Sequence, residues 1–82
     1  MDEYELFQER FDKLTVDELE RKHMCPVCGK HEFPRMGCGF ECPICGWEDS
    51  IIQLLVPTKG GIDNRMSLNM ARERYKKGEK KF

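Results

Sequence analysis

A five-residue pattern, Cys-Pro-x-Cys-Gly, occurs twice among the 82 residues of this chain. We call residues 25–29 the first knuckle and residues 42–46 the second knuckle, and thirteen residues lie between Cys28 and Cys42. Two intervening residues let the chain turn so that both sulfurs of a pair face one ion. Two such pairs at this separation are typical of a tetrathiolate metal site.

The sequence therefore predicts one metal ion, and the expected ligands are the knuckle cysteines Cys25, Cys28, Cys42 and Cys45. Zinc is the expected ion, and iron is the less favoured alternative, because a tetrahedron of sulfurs suits both metals and the pair also resembles the rubredoxin knuckle. Four protein ligands leave no open position for water, so we expect a structural metal. Two disulfides, or four buried thiols, are the disfavoured alternatives, since no export signal is predicted.

A chain of this length needs a stabilising element such as a structural metal. Of the 82 residues 39% are hydrophobic and 35% are charged, which is enough for one small domain with a marginal core. Domains of this size usually depend on a metal, a disulfide or a partner subunit. We expect a single compact unit whose fold depends on its metal.

The charges are segregated along the chain. Residues 1–24 carry a net charge of −4, residues 25–58 of −2 and residues 59–82 of +5, for a total of −1. This balance excludes a uniformly basic nucleic-acid binder. No apolar run reaches the roughly 18 residues of a membrane span, and the acidic start does not resemble a signal peptide. We expect a cytoplasmic protein with no membrane contact.

Residues 1–24 are predicted to be a helical extension of two short helices, or one helix broken near Thr15. Thr15 followed by Glu18 matches the capping box that opens a helix. Apolar residues recur every three or four positions, which places them on one helix face. The positions expected to face the core are Tyr4, Phe7, Phe11 and Leu14 in the first part and Val16 and Leu19 in the second.

Residues 25–82 are predicted to be the metal-binding domain with a C-terminal helix. Ser67 is a good N-cap for that helix, and Gly78 is a plausible stop. Three residues at helical spacing are expected to face the metal module: Leu68, Ala71 and Tyr75. The apolar run 51–56 is compatible with a strand or a helical turn, because periodicity cannot decide over six residues.

Residues close to the knuckles offer further candidates. Cys38 is expected to be a partly buried thiol, with a reactive thiol or a ligand exchange as alternatives. Four cysteines already satisfy a tetrahedral ion, so His23 and His31 are expected on the surface. Trp47 is expected to cover the metal loops and join the core, and stacking on a ligand or a base is the alternative.

No catalytic centre is predicted, so we expect a protein without enzymatic activity. Glu48 and Asp49 have no companion nucleophile or base and are expected in a solvated turn or cap. The sequence contains no phosphate-binding loop and no dinucleotide fingerprint. The basic C-terminal helix is expected to be solvated or paired with the acidic helices, and contact with phosphates is the alternative.

Beyond the knuckles, the chain resembles the bacterial cysteine-rich CPCC family over residues 25–77. That family continues from its first knuckle into an aromatic-Glu-x-C-P-x-C-x-W-E-D segment and then G-G-x-x-N-x-x-S-L-x-x-A-R. The residues that carry the resemblance are Cys25, Pro26, Cys28, Gly29, Phe40, Glu41, Cys42, Pro43, Cys45, Trp47, Glu48, Asp49, Gly60, Gly61, Asn64, Ser67, Leu68, Ala71 and Arg72. Val27 stands where the family usually has cysteine, and the stretch before Cys42 is one residue shorter. The resemblance implies a small zinc-binding protein with no established activity.

Together these observations predict a small α+β fold, with a zinc-ribbon- or rubredoxin-like core, a short antiparallel sheet and flanking N- and C-terminal helices. The expected function is a non-enzymatic zinc-binding module for an unknown protein partner. The alternatives are a rubredoxin-like iron electron carrier and a nucleic-acid-binding zinc ribbon.

Overall fold

A computed structural model describes residues 2–82 of the protein, and this range contains four α-helices and one two-stranded antiparallel sheet. In chain order the elements are α1 (Glu3–Asp12), α2 (Val16–Glu20), β1 (His23–Met24), β2 (Glu32–Phe33), α3 (Ile51–Leu55) and α4 (Leu68–Lys76). Strand β1 pairs with β2 so that His23 lies opposite Phe33. The small α+β class, with a short antiparallel sheet and helices at both ends, is confirmed.

Helix boundaries follow local capping signals. The Thr15 hydroxyl accepts a hydrogen bond from the Glu18 amide at 3.1 Å, which starts α2 and separates it from α1. The Ser67 hydroxyl accepts from the Met70 amide at 3.1 Å and starts α4. Because each cap satisfies a backbone donor that a helix leaves unpaired, these short polar side chains fix where the helices begin.

Helices α1 and α2 lie at the edge of the molecule and contain no fully buried residue. Phe7 and Phe11 are half-buried against each other, with ring centroids 5.6 Å apart. Two of the residues expected to face inward do not: Tyr4 is 76% exposed and Val16 is 67% exposed. Val16 is the first residue of a helix of only five residues, whereas Leu19 of the same helix is half-buried as expected.

Contacts between the N-terminal helices and the rest of the chain are few. Helix α1 packs against α3, and the Arg10 guanidinium donates to the Leu55 carbonyl. Glu3 and Lys59 form an ion pair at 3.4 Å. The Leu19 carbonyl of α2 accepts from the amide of residue 36 at 3.0 Å.

The run 51–56, which the sequence leaves open, forms helix α3 with Ser50 as its N-cap. Inside α3 the Gln53 side chain is fully buried and organises the loop that follows. Its Nε2 donates to the carbonyls of Lys59, Asn64 and Met66 at 3.0, 3.1 and 3.0 Å. Its Oε1 accepts from the Asn64 backbone amide at 2.9 Å. The loop that follows α3 is therefore held by the hydrogen bonds of one buried polar side chain rather than by a hydrophobic core of its own.

The hydrophobic core surrounds the cysteines rather than the helices at the amino end. Its fully buried apolar members are Cys25, Phe33, Cys42, Cys45, Trp47, Leu68, Ala71 and Phe82. Tyr75 packs against this core from α4, so the expected inward face of that helix is confirmed. Within residues 2–82, no helix is both long enough and apolar enough to cross a membrane.

Candidate metal centre

Four cysteine sulfurs meet in the middle of the core, and we call Cys25, Cys28, Cys42 and Cys45 the cysteine cluster. All four Sγ atoms lie within 4.8 Å of one another. The Sγ atoms of Cys25 and Cys45 are 3.6 Å apart, and those of Cys28 and Cys42 are 3.7 Å apart. Four sulfurs about 2.3 Å from a central ion form a tetrahedron with edges of about 3.8 Å. The cluster therefore has the spacing of a tetrahedral ligand set, and not the roughly 2.05 Å of a disulfide.

Tight turns in the two knuckles bring the sulfurs together. In each knuckle the glycine amide donates to the carbonyl of the first cysteine at 2.9 Å. Gly29 and Gly46 have φ angles of +68° and +86°, a region that residues with a Cβ rarely adopt. Both glycines are thus left-handed, and their own amides bind carbonyl oxygen rather than sulfur. Other amides point back at the sulfurs, such as that of Lys30, which lies 3.4 Å from Cys28 Sγ.

Burial raises the pKa of two of these thiols. It raises the pKa of the Cys25 thiol to about 11 and the pKa of the Cys45 thiol further still. Burial acts on Cys42 as well, but there the hydrogen bonds from the backbone amides of Cys45 and Ile44 prevail and lower the pKa. At neutral pH Cys25 and Cys45 are therefore protonated thiols. They lose their protons when they bind a metal cation.

Aromatic side chains and helix α4 enclose the cluster. Trp47 and Phe33 are fully buried beside the cysteines, so the expected core position of the tryptophan is confirmed and its ring cannot stack on an external base. Helix α4 is fixed to the first knuckle by Arg72, whose Nε donates to the Pro26 carbonyl at 2.8 Å. Lys30 Nζ lies 5.7 Å from the centre of the Tyr75 ring. The helix therefore covers the first knuckle.

A buried carboxylate lies next to this centre, at a position that we expected to be solvated. Asp49 is only 1% exposed. One of its oxygens accepts from the Cys38 amide at 3.0 Å and lies 2.9 Å from His23 Nε2. The expectation of a solvated turn is wrong for Asp49, because this carboxylate joins the segments before, between and after the two knuckles. His23 is correspondingly withdrawn from the surface, with 18% of its side chain exposed.

The remaining candidates lie outside the cysteine cluster. Cys38 is a half-buried thiol, as expected, and burial together with the neighbouring Asp49 carboxylate raises its pKa. A raised pKa makes this thiol less reactive than an average cysteine. His31 is half-buried, not on the surface, with its ring edge-on to Phe33 at 5.1 Å. Neither histidine belongs to the group of residues placed to hold an ion.

Glu48 is held through its backbone rather than its carboxylate. Its amide donates to Asn64 Oδ1 at 2.8 Å, and its carbonyl accepts from Asn64 Nδ2 at 2.9 Å. The Asn64 side chain thus pairs with residue 48 much as a neighbouring strand would. Glu48 also forms an isolated antiparallel bridge with Glu41, immediately before the second knuckle. These contacts fix both ends of the second knuckle, and Gln53 in turn fixes Asn64.

The cysteine-rich CPCC family matches residues 23–78, which include both knuckles, α3 and α4. The chain belongs to the cysteine-rich CPCC family. Helices α1 and α2 precede the matched region, and four residues follow it. A search of curated proteins gave no significant match.

Proposed function

We propose that this CPCC protein is a small, non-enzymatic zinc-binding protein in which one ion, held by the cysteine cluster, stabilises the fold. The observation that carries the proposal is the tetrahedral spacing of four sulfurs inside the hydrophobic core. Thiolate sulfur is a preferred ligand of zinc. Because the ion would lie within the core rather than at its edge, metal binding and folding are coupled.

A structural role follows from the number and burial of the donors. Three of the four cysteines are buried, and helix α4 lies over the first knuckle. Catalytic zinc sites keep one position open for water or substrate, whereas structural sites are closed by four protein ligands. A CPCC protein with this donor set is therefore suited to hold its ion permanently.

Iron is the competing metal, because the same sulfur tetrahedron would bind it at a similar distance. An iron form would be coloured and would change its absorption on reduction, and a zinc form would be colourless under both conditions. Protein produced in medium with equal zinc and iron should contain zinc. Recovery of a red, reversibly reducible protein would replace this proposal with an electron-transfer role.

Native mass spectrometry of the isolated protein, combined with chelation, tests the structural role directly. We expect one zinc ion per chain. A strong chelator should abolish both the helical circular dichroism signal and the protected environment of Trp47, and added zinc should restore both. A protein that keeps its spectrum after complete metal removal would show that the metal does not stabilise the fold.

The second part of the proposal is that the protein acts as a protein-interaction module. It is supported by two surfaces of opposite charge that do not neutralise each other. The basic residues of α4 pair locally, as Arg74 with Glu79 and Lys76 with Glu73. Among residues 2–82, no ion pair joins α4 to α1 or α2. The acidic helices therefore do not neutralise the basic residues of α4, and these residues lie exposed on a surface that a partner can reach.

Charge-reversed variants test the interaction role. Lys77→Glu changes the basic surface and Asp17→Lys changes the acidic one, and both residues are exposed. We expect a partner that is cross-linked to the unaltered protein to be lost from one variant and retained by the other. Loss of the cross-linked species after nuclease treatment would indicate nucleic acid instead, and identical cross-linking to both variants would contradict the proposal.

A further inference from the structure

The four residues after the family match form a tail that folds back onto the metal centre. We call residues 79–82 the tail. Gly78, with a φ of +88°, reverses the chain after α4. The Lys81 amide then donates to the Cys45 carbonyl at 2.8 Å, and the Phe82 carbonyl accepts from the Met66 amide at 2.9 Å. The tail is thus bonded on one side to the second knuckle and on the other to the loop before α4.

The Phe82 side chain enters the core that the tail covers. It is 7% exposed and belongs to the same hydrophobic core as Cys25, Cys42 and Cys45. The tail approaches the second knuckle very closely, because a Cβ placed on Gly46 would lie 3.0 Å from Lys81 Cα and Cγ. The surface beneath the tail therefore includes a socket for one aromatic side chain and two backbone groups, the Cys45 carbonyl and the Met66 amide, that bind the main chain of a peptide.

Charge adds a second element of selectivity. Lys81 and Phe82 line an open cleft of about 290 Å³ whose other lining residues include three carboxylates, Glu41, Glu48 and Asp63, together with Arg65. None of these carboxylates forms an ion pair within residues 2–82. A basic residue directly before the aromatic one therefore meets a surface of mostly opposite charge.

The tail is also weakly held compared with the rest of the core. Lys81 has a φ of +65°, the one left-handed non-glycine residue in the described chain, and this conformation is unfavourable for a side chain with a Cβ. Glu79 stays bonded to Arg74 of α4 through its amide and its carboxylate. Beyond it, one buried ring and two backbone hydrogen bonds hold residues 80–82 against the conformational entropy of three ordered residues. We therefore expect these three residues to detach without unfolding of the core.

We propose that the groove between the second knuckle and the loop before α4 is a peptide-binding site, which the chain fills with its own tail. The partner that fits is a short segment with an aromatic residue directly after a basic one, in which the basic residue adopts the left-handed conformation of Lys81. Main-chain hydrogen bonds would supply affinity, and the aromatic socket would supply specificity. This inference rests on the proposed interaction role and names one surface and one class of partner segment for it.

Full-length zinc-loaded protein and its Phe82→Ala variant test this proposal, with the pentapeptide Gly-Glu-Lys-Lys-Phe as the probe. A tethered tail has an effective concentration on the order of millimolar. We expect the variant to bind the peptide at least tenfold more tightly than the unaltered protein, as measured by calorimetry and by Trp47 fluorescence. A control peptide that ends in alanine should not bind either protein.

Two results would overturn the proposal while leaving the metal centre intact. One is a variant that retains one zinc ion and does not bind the peptide, and the other is equal peptide affinity for both proteins. If the variant does not fold, hydrogen exchange of the unaltered protein decides. The amides of Lys81 and Met66 should exchange at least tenfold faster than those of Cys42 and Ala71, and equal rates would show that the tail never detaches separately.

Discussion

The N-terminal helices and the CPCC region differ in how their residues are buried. No residue of α1 or α2 is fully buried, whereas every buried apolar residue of the described chain lies at Cys25 or beyond it. The N-terminal helices are amphipathic segments attached through a few edge contacts. In the CPCC region the buried residues surround the four sulfurs of the cysteine cluster. This difference indicates that stability is concentrated around the cysteine cluster.

Polar residues distinguish the two regions as strongly as apolar ones do. The CPCC region buries Asp49, Gln53 and Asn64, and these side chains bond mainly to the backbone of segments distant in sequence. In α1, apart from Arg10 and Glu3, the polar side chains bond to neighbours on the same helix, as Gln8 does to Asp12. Buried polar networks specify one arrangement of loops, and exposed pairs add little.

Replacement of a clustered cysteine should have the largest effect. Cys45→Ser removes one of four thiolates, and the free energy of structural zinc binding, about 10–16 kcal/mol, is comparable to or larger than the 5–15 kcal/mol by which small domains are stable. We expect loss of bound zinc and of cooperative unfolding, measured by native mass spectrometry and circular dichroism. Cys38→Ser is the matched control and should retain one ion. The opposite pattern would show that Cys38 is a ligand.

Removal of the buried amide should have the next largest effect. Gln53→Leu has a similar volume but leaves the carbonyls of Lys59 and Met66 without the donor that now serves them. Each unsatisfied buried group costs about 1–3 kcal/mol, so we expect a loss of about 3 kcal/mol in the free energy of unfolding by urea. Gln8→Leu, on the exposed face of α1, should stay within about 0.5 kcal/mol. Equal losses in the free energy of unfolding for the two variants would mean that the two regions contribute equally to stability.

Loss of the buried carboxylate should be somewhat milder. Asp49→Ala removes the acceptor for the Cys38 amide and the contact with His23, and should cost about 2 kcal/mol. For a domain of this size that lowers the melting temperature by roughly 10 °C. Asp63→Ala, at an exposed position, is the control and should have a melting temperature close to that of the unaltered protein. An unchanged melting temperature for both variants would show that Asp49 does not join the segments around the knuckles.

The smallest effects are expected in α2. Leu19 is half-buried and Val16 is largely exposed, so Leu19→Ala should lower the free energy of unfolding by about 1 kcal/mol and Val16→Ala by less than about 0.5 kcal/mol. Zinc content should be unchanged in both. A loss of zinc from either variant would remove the distinction between the two regions.

Local patterns in the sequence predict much of this molecule. The knuckles, the Thr15 and Ser67 caps and the inward face of α4 each depend on residues within a few positions of one another. The same reasoning fails for Asp49 and Gln53, because a buried polar residue and a solvated one have the same appearance in a sequence. It also misses Phe82, which follows the charged stretch 76–81. Each of these residues acts through partners far along the chain, and no local periodicity encodes them.

The distances along the chain between contacting residues imply an order of assembly. Cys25 and Cys45 are 20 positions apart, and Pro26 and Arg72 are 46 positions apart. Short loops close at lower entropic cost and more quickly than long ones, and synthesis also proceeds from the amino end. Both knuckles therefore leave the ribosome well before Phe82 does. We expect a nascent chain to acquire its ion while α4 is still being made, so the metal would serve as the nucleus on which the later half of the protein folds.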